Sequence, residues 1–252
     1  MRRLSGRLGV GLLLVWMGIV PAGGWGQVGA AQALTAEEIV TRMMQRDRER
    51  QVALDRYGSM RTYHMEYHGP IGERKADMVV KMQFSAPDKK EFAVVSESGS
   101  TIFCKQILRR LMEGEREGAL EQNRQRSMLS PENDKLTLVG REQVDGVDAW
   151  VIDVTPRREN RFNYKGRVWV SVQDYAVVRI VGSPGQNPTF LMGSAEFDYR
   201  YGRDGEFWLP RRNETVSKLR IGGQIRLTVD YGTYEIVARP GGAATEAMLG
   251  KR

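Results

Sequence analysis

The spacing of apolar residues changes character along the chain, and each change marks an element. Leu8 to Val20 is almost wholly apolar, follows three arginines within the first seven residues, and leads into a small, polar stretch ending Ala31-Gln32-Ala33. That three-part form predicts a secretory signal peptide over 1–33, cleaved after Ala33. The apolar run of about thirteen residues falls short of the roughly twenty that span hydrocarbon. From Thr35 the period is helical: Thr35 and Glu38 form a capping box, and Ile39, Val40, Met43 and Met44 share a stripe. Gln45 to Gln51 holds no apolar residue. The helix is therefore expected to lie across a surface with its middle wet, packing again through Val52, Leu54 and Tyr57 before Gly58 stops it.

At Thr62 the period becomes two. Tyr63, Met65 and Tyr67 alternate with His64, Glu66 and His68, which predicts a half-buried strand. Ala76, Met78, Val80, Met82 and Phe84 alternate likewise, Ala86-Pro87-Asp88 turns the chain, and Phe92 and Val94 return on one face. A second amphipathic helix is expected between Thr101 and Arg126, with Ile102, Phe103, Ile107, Leu108, Leu111 and Met112 as its stripe. After the loop at 130–134 the chain reads as strands almost to its end, with turns at 144–146, 173–174, 203–205 and 222–223. Prolines 70, 87, 131, 156, 184, 188, 210 and 240 are all expected in gaps between strands. Nine to eleven strands with short connections predict an antiparallel meander, because parallel neighbours need long crossovers. The expectation is a mainly β single domain over 34–237: a strongly curved sheet forming an unclosed barrel, covered by two or three α-helices. A flexible tail over 238–252, rich in Gly and Ala, follows.

Charge and composition narrow the chemistry. The formal charge of +7 in a chain of 252 residues falls to +4 without the first 33, and the remaining arginines are interleaved with acids. No nucleic-acid partner is expected. One cysteine, Cys104, and two histidines exclude a disulfide framework and leave little for an imidazole metal site. His64, Glu66 and His68 share a strand face, for which a polar solvent face is the simpler reading. There is no nucleophile elbow, phosphate loop or dinucleotide-binding turn. No catalytic residue, metal or cofactor is assigned, although a distant carboxylate pair escapes sequence reading. Ten methionines after residue 33 suit either plain core filling or a surface that adapts to variable apolar ligands.

The run GREQVDGVDAWVIDVTP at 140–156, YKGRVWV at 164–170 and DYAVVRI at 174–180 resembles the outer-membrane lipoprotein-sorting, LolA-like family. So do GEFWLP at 205–210 and YGTY at 231–234. The resemblance covers residues 134–237, and by layout extends back to 35. It implies an unclosed antiparallel barrel with helices in its mouth, a periplasmic location, and a cavity that shields acyl chains. It also implies a lid-closing arginine, which the pattern assigns to no position. The expected function is a non-enzymatic periplasmic carrier or chaperone for the acyl chain of a lipoprotein or lipid, monomeric and served by inner- and outer-membrane transport components. The alternatives are a sensor or interaction module that binds a protein partner, and a hydrolase with no legible site. The residues expected to line the cavity are Met65, Tyr67, Met78, Val80, Met82, Phe92, Val94, Trp150, Ile152, Val168, Val170, Phe197, Leu227 and Val229. The opposite face stays open for any one strand, since a covered sheet can be apolar on both sides.

Overall fold

The computed structural model describes residues 34–187 and 192–239. The segment read as a signal peptide lies outside them, as does residue 240 onward. Helix α1, Ala36–Ala53, starts where the capping box places it: Thr35 Oγ1 accepts from the Glu38 amide at 3.2 Å and Glu38 Oε2 accepts from the Thr35 amide at 2.9 Å. It buries only Ala36, Ile39, Val40 and Met43. Two arginines tie it to the turn after Ser171, Arg42 donating to the Tyr175 hydroxyl at 2.8 Å and Arg50 to the Asp174 carbonyl at 2.6 Å. The helix ends at Ala53, earlier than its sequence suggests, and the chain passes directly into strand β1, Leu54–Gly69. Val52 is exposed, while Leu54 and Tyr57 belong to the strand.

Strands β2, Gly72–Ser85, and β3, Lys89–Gly99, complete an N-terminal meander. The helical tract that follows comprises α2, Thr101–Phe103, a π turn, Cys104–Leu108, α3, Arg109–Ala119, and α4, Glu121–Ser127. Seven strands then run in sequence: β4, Asp134–Val144; β5, Val147–Pro156; β6, Tyr164–Ser171; β7, Val177–Pro184; β8, Met192–Asp204; β9, Phe207–Leu219; and β10, Gln224–Ala238. The β4–β5 turn has positive φ at both central residues, Asp145 at 49° and Gly146 at 80°, as the twist of a two-residue hairpin demands. Other boundaries differ from expectation as well. Ala238 closes β10 rather than opening a tail, Pro156 and Pro184 are the last residues of β5 and β7 rather than part of the gaps after them, and Pro210 lies inside β9. Pro210 faces Tyr201 beside a register shift between Arg200 and Tyr201, where an absent amide breaks no regular ladder.

The ten strands form one sheet in the order β3-β2-β1-β10-β9-β8-β7-β6-β5-β4, with every neighbouring pair antiparallel. Among the described residues only the β1–β10 pairing joins strands that are not consecutive. Strands β3 and β4 are the free edges, so the barrel is unclosed, and the helical tract carries the chain from one edge to the other. The sheet curls toward that tract. Leu108 and Met112 pack on β1, β2 and β10, while Glu117 of α3 pairs at 2.9 Å with Arg161 in the β5–β6 connection. β1 and β6 are five strand positions apart, roughly 24 Å if flat, whereas an eleven-residue helix is only about 16 Å long.

Cross-strand partners share a face, and the register links Val94, Val80 and Arg61, and separately Met78, Tyr63, Val229, Asn213, Tyr199, Ile180, Val168, Ile152 and Leu138. Two buried clusters form on this face. One sets Tyr63, Met65, Tyr67, Met78, Val80, Leu227 and Val229 under Cys104, Leu108 and Met112. The other sets Trp150, Ile152, Val168 and Val170 under α1. Val151 and Trp169 take the opposite face, in a smaller cluster with Ala149 and Val178.

Candidate binding cavity

Between the two helical covers a cavity of about 480 Å³ opens at the end of the sheet where β1 begins. Its floor is apolar, made by Leu54 and Tyr57 of β1, Phe84 of β2, and Phe207 and Leu209 of β9. Tyr57 stacks on Phe84 at 5.1 Å between ring centroids and meets Tyr234 edge-on at 5.8 Å. Charged side chains surround this floor: Asp47 and Arg50 from α1, Lys90 from β3, Glu115 from α3 and Arg124 from α4. Arg124 donates to Gln51 at 2.6 Å, which joins α4 to α1 across the opening. Burial raises the Asp47 carboxyl above its ordinary value, against the pull of Arg50.

Inward of the cavity, Glu115 of its rim makes an ion pair with a residue that does not itself line the opening. Arg61, inward on β1 with 3% of its side chain exposed, donates from Nη1 to both oxygens of Glu115, at 2.8 and 3.1 Å. Its guanidinium lies 4.7 Å from the Tyr231 ring centroid and 5.5 Å from that of Phe92, within cation–π range. Burial works against the Arg61 charge, yet Glu115 holds its pKa above the ordinary arginine value. Lys90 approaches the same carboxylate at 3.7 Å. Ser59, Arg61 and Tyr63 follow one another along the inner face of β1, and Ser59 Oγ, Arg61 Nε and the Tyr63 hydroxyl are buried without a hydrogen-bond partner. Burial pushes the Tyr63 phenol up to about 12. Tyr199, Tyr201 and Tyr231, partly accessible, are likewise raised, burial being the largest cause.

All fourteen residues expected to line a cavity lie on the helix-covered face, but they sit in its covered parts. Met65, Tyr67, Met78, Val80, Leu227 and Val229 are buried beneath the π turn and α3, with Phe92 and Val94 at the margin. Met82 is buried opposite Ser59 and Phe92. Trp150, Ile152, Val168 and Val170 lie beneath α1. Phe197 stands between the two groups, edge-on to Tyr164 at 6.0 Å and Tyr199 at 5.3 Å. None lines the open cavity. Its floor and charged rim were missed because Leu54 and Tyr57 read as helix, and because the rim comes from three helices and β3. Phe84, one step beyond Met82 in the same alternation, was the available signal.

His64 and His68 face the other way. His64 Nδ1 bonds Asp77, His68 Nδ1 lies 3.2 Å from Glu73, and Lys75 pairs with Glu66 at 2.8 Å. Among the described residues no three His, Cys, Asp or Glu side chains are grouped to hold a metal, and no helix is long and apolar enough to cross a membrane. Cys104 is buried, and its thiol is raised by that burial.

No protein-family model and no curated protein matches the chain. Among solved structures it is similar to a DUF1329 family protein from Desulfovibrio piger, at 12% identity and a TM-score of 0.41 over 81% of this chain and 94% of that one. It is similar also to a LolA superfamily protein from Nitrosomonas europaea, at 12% identity and a TM-score of 0.35 over 82% and 96%. A third is a Vibrio parahaemolyticus domain described as an outer membrane lipoprotein-sorting protein, at 10% identity and a TM-score of 0.38 over 86% and 100%. The architecture itself rests on the strand order and register.

Proposed function

We propose that the protein is a non-enzymatic carrier that shields an acyl chain of a lipid or lipoprotein against the helix-covered face of its sheet, working in the periplasm after export. The observation that carries this reading is the way α3 is held. A short helix, seated by Met112 and the preceding Leu108 on a methionine-rich face and latched by the inward Arg61–Glu115 pair beside the exposed pairs Arg109–Glu97 and Arg161–Glu117, borders an open cavity. A hydrocarbon chain entering from that cavity gains about 25 cal/mol for each Å² of apolar surface taken from water. It does so by replacing α3 on a surface already suited to pliable apolar contact. Arg61 takes the part of the lid-closing arginine that the family resemblance implies. Release needs no chemistry, since the helix and the ligand compete for one surface.

Native mass spectrometry of the protein purified from its own periplasm tests this. A co-purified lipid or lipoprotein is the expected result. A stoichiometric polypeptide without an acyl chain, or an empty protein that turns over esters, contradicts it.

A further inference from the structure

The row of donors on β1 asks for an occupant that the apolar surface does not. Ser59 Oγ, Arg61 Nε and the Tyr63 hydroxyl are three hydrogen-bond donors at alternate positions of one strand, each residue more than nine-tenths buried and each atom without a partner. Leaving buried donors unmade is costly, and what would satisfy all three is a group of acceptor oxygens. The local charge calls for the same thing. Arg61 at 2.8 Å and Lys90 at 3.7 Å both lean on the single carboxylate of Glu115, so one further negative charge balances the group. The row also sits at a boundary. Tyr57 on the cavity side of it lines the open space, and Met65 on the other side lies in the apolar cluster under α3.

We infer that Ser59, Arg61 and Tyr63 form an anion subsite that holds the ionised headgroup of a single-chain amphiphile, with its tail running along β1 beneath α3. The inference rests on the carrier reading and names the head that such a carrier selects. A carboxylate and a phosphate monoester both supply the required oxygens, and Arg61 donates to either in a charge-assisted bond. Tyr63 stays protonated through neutral pH and remains a donor.

The test uses the full chain and three probes with one and the same tail: oleate, oleyl phosphate and oleyl alcohol, each titrated by calorimetry at neutral pH. The anions are expected to bind at least about tenfold more tightly than the alcohol, and the tighter of the two identifies the head. The double variant Ser59→Ala, Tyr63→Phe removes two hydroxyls that bond nothing in the free protein, so its melting temperature is expected not to fall. It is expected to lose most of the preference for anions while binding oleyl alcohol as before. Equal affinity for alcohol and anions in the parent protein, or a preference that survives the double substitution, overturns the subsite and leaves the carrier standing. Failure of all three probes to bind overturns both.

Discussion

Arg61 keeps its guanidinium inside the molecule, against Glu115, Tyr231 and Phe92, and so ties the inner face of the sheet to its cover. Removing the charge of its partner leaves a buried cation without its counter-ion and weakens bonds worth about 1.5–3 kcal/mol to a charged group. Glu115→Gln is therefore expected to lower stability by about 1–2 kcal/mol in chemical denaturation and to speed acyl uptake in stopped-flow fluorescence. Unchanged stability and uptake contradict the latch. On the outer face, His64 is raised above 6.5 chiefly by its bond to Asp77. An NMR titration of its ring is expected to give a midpoint above 6.5, moving back in Asp77→Asn. Because the folded value lies above the unfolded one, the stabilising contribution is complete below the unfolded pKa and fades as pH rises through the folded one. A midpoint at or below 6.5 refutes the bond. Inward polar residues also explain the largest misreading of the sequence. Ser59 and Arg61 occupy buried positions in the alternation that runs from Tyr57 to Tyr67. A pattern that counts only apolar side chains therefore starts the strand at Thr62, eight residues late.

At the level of elements, most of the strands were legible because their alternation and turn residues agree, as at Asp145-Gly146 and Gly222-Gly223. Pro210 was not, since a register shift that tolerates proline leaves no mark in the sequence. The helical tract from 101 to 127 was legible as one amphipathic segment, but its division into α2, the π turn, α3 and α4 was not. Within α3, Gly114 and Gly118 weaken the helix, and a Cβ at either position meets no atom within 4 Å. Packing does not require these glycines, and a helix of marginal intrinsic stability suits a cover that must leave its seat. Gly114→Ala is expected to raise stability by about 0.5–1 kcal/mol and to slow acyl uptake, as read by thermal denaturation and stopped-flow binding. A destabilised variant, or uptake faster than in the parent protein, contradicts this role for α3.

For the whole molecule, the sheet order decides what the helices can do. With β3 and β4 as free edges and the helical tract strung between them, the cover is tethered at both ends while its middle is held by Leu108, Met112, the inward Arg61–Glu115 pair and two exposed pairs, Arg109–Glu97 and Arg161–Glu117. The sequence indicated the curled antiparallel sheet and its covers, because each follows from local periodicity, but it leaves open the face that each strand turns to the helices, since alternation alone does not say which side is covered. It did not indicate the cavity, whose walls come from α1, β1, β2, β3, α3, α4 and β9 and from the turn before β3, and meet only in the folded chain. The central claim is that the face under α3 takes up a hydrocarbon chain entering from that cavity. Photo-crosslinking with a fatty acid carrying a diazirine near its tail end, followed by peptide mapping, tests it most directly. Adducts on Met65, Met78 or Leu227 are the predicted result, and adducts confined to the outer face around His64, or none at all, would contradict it.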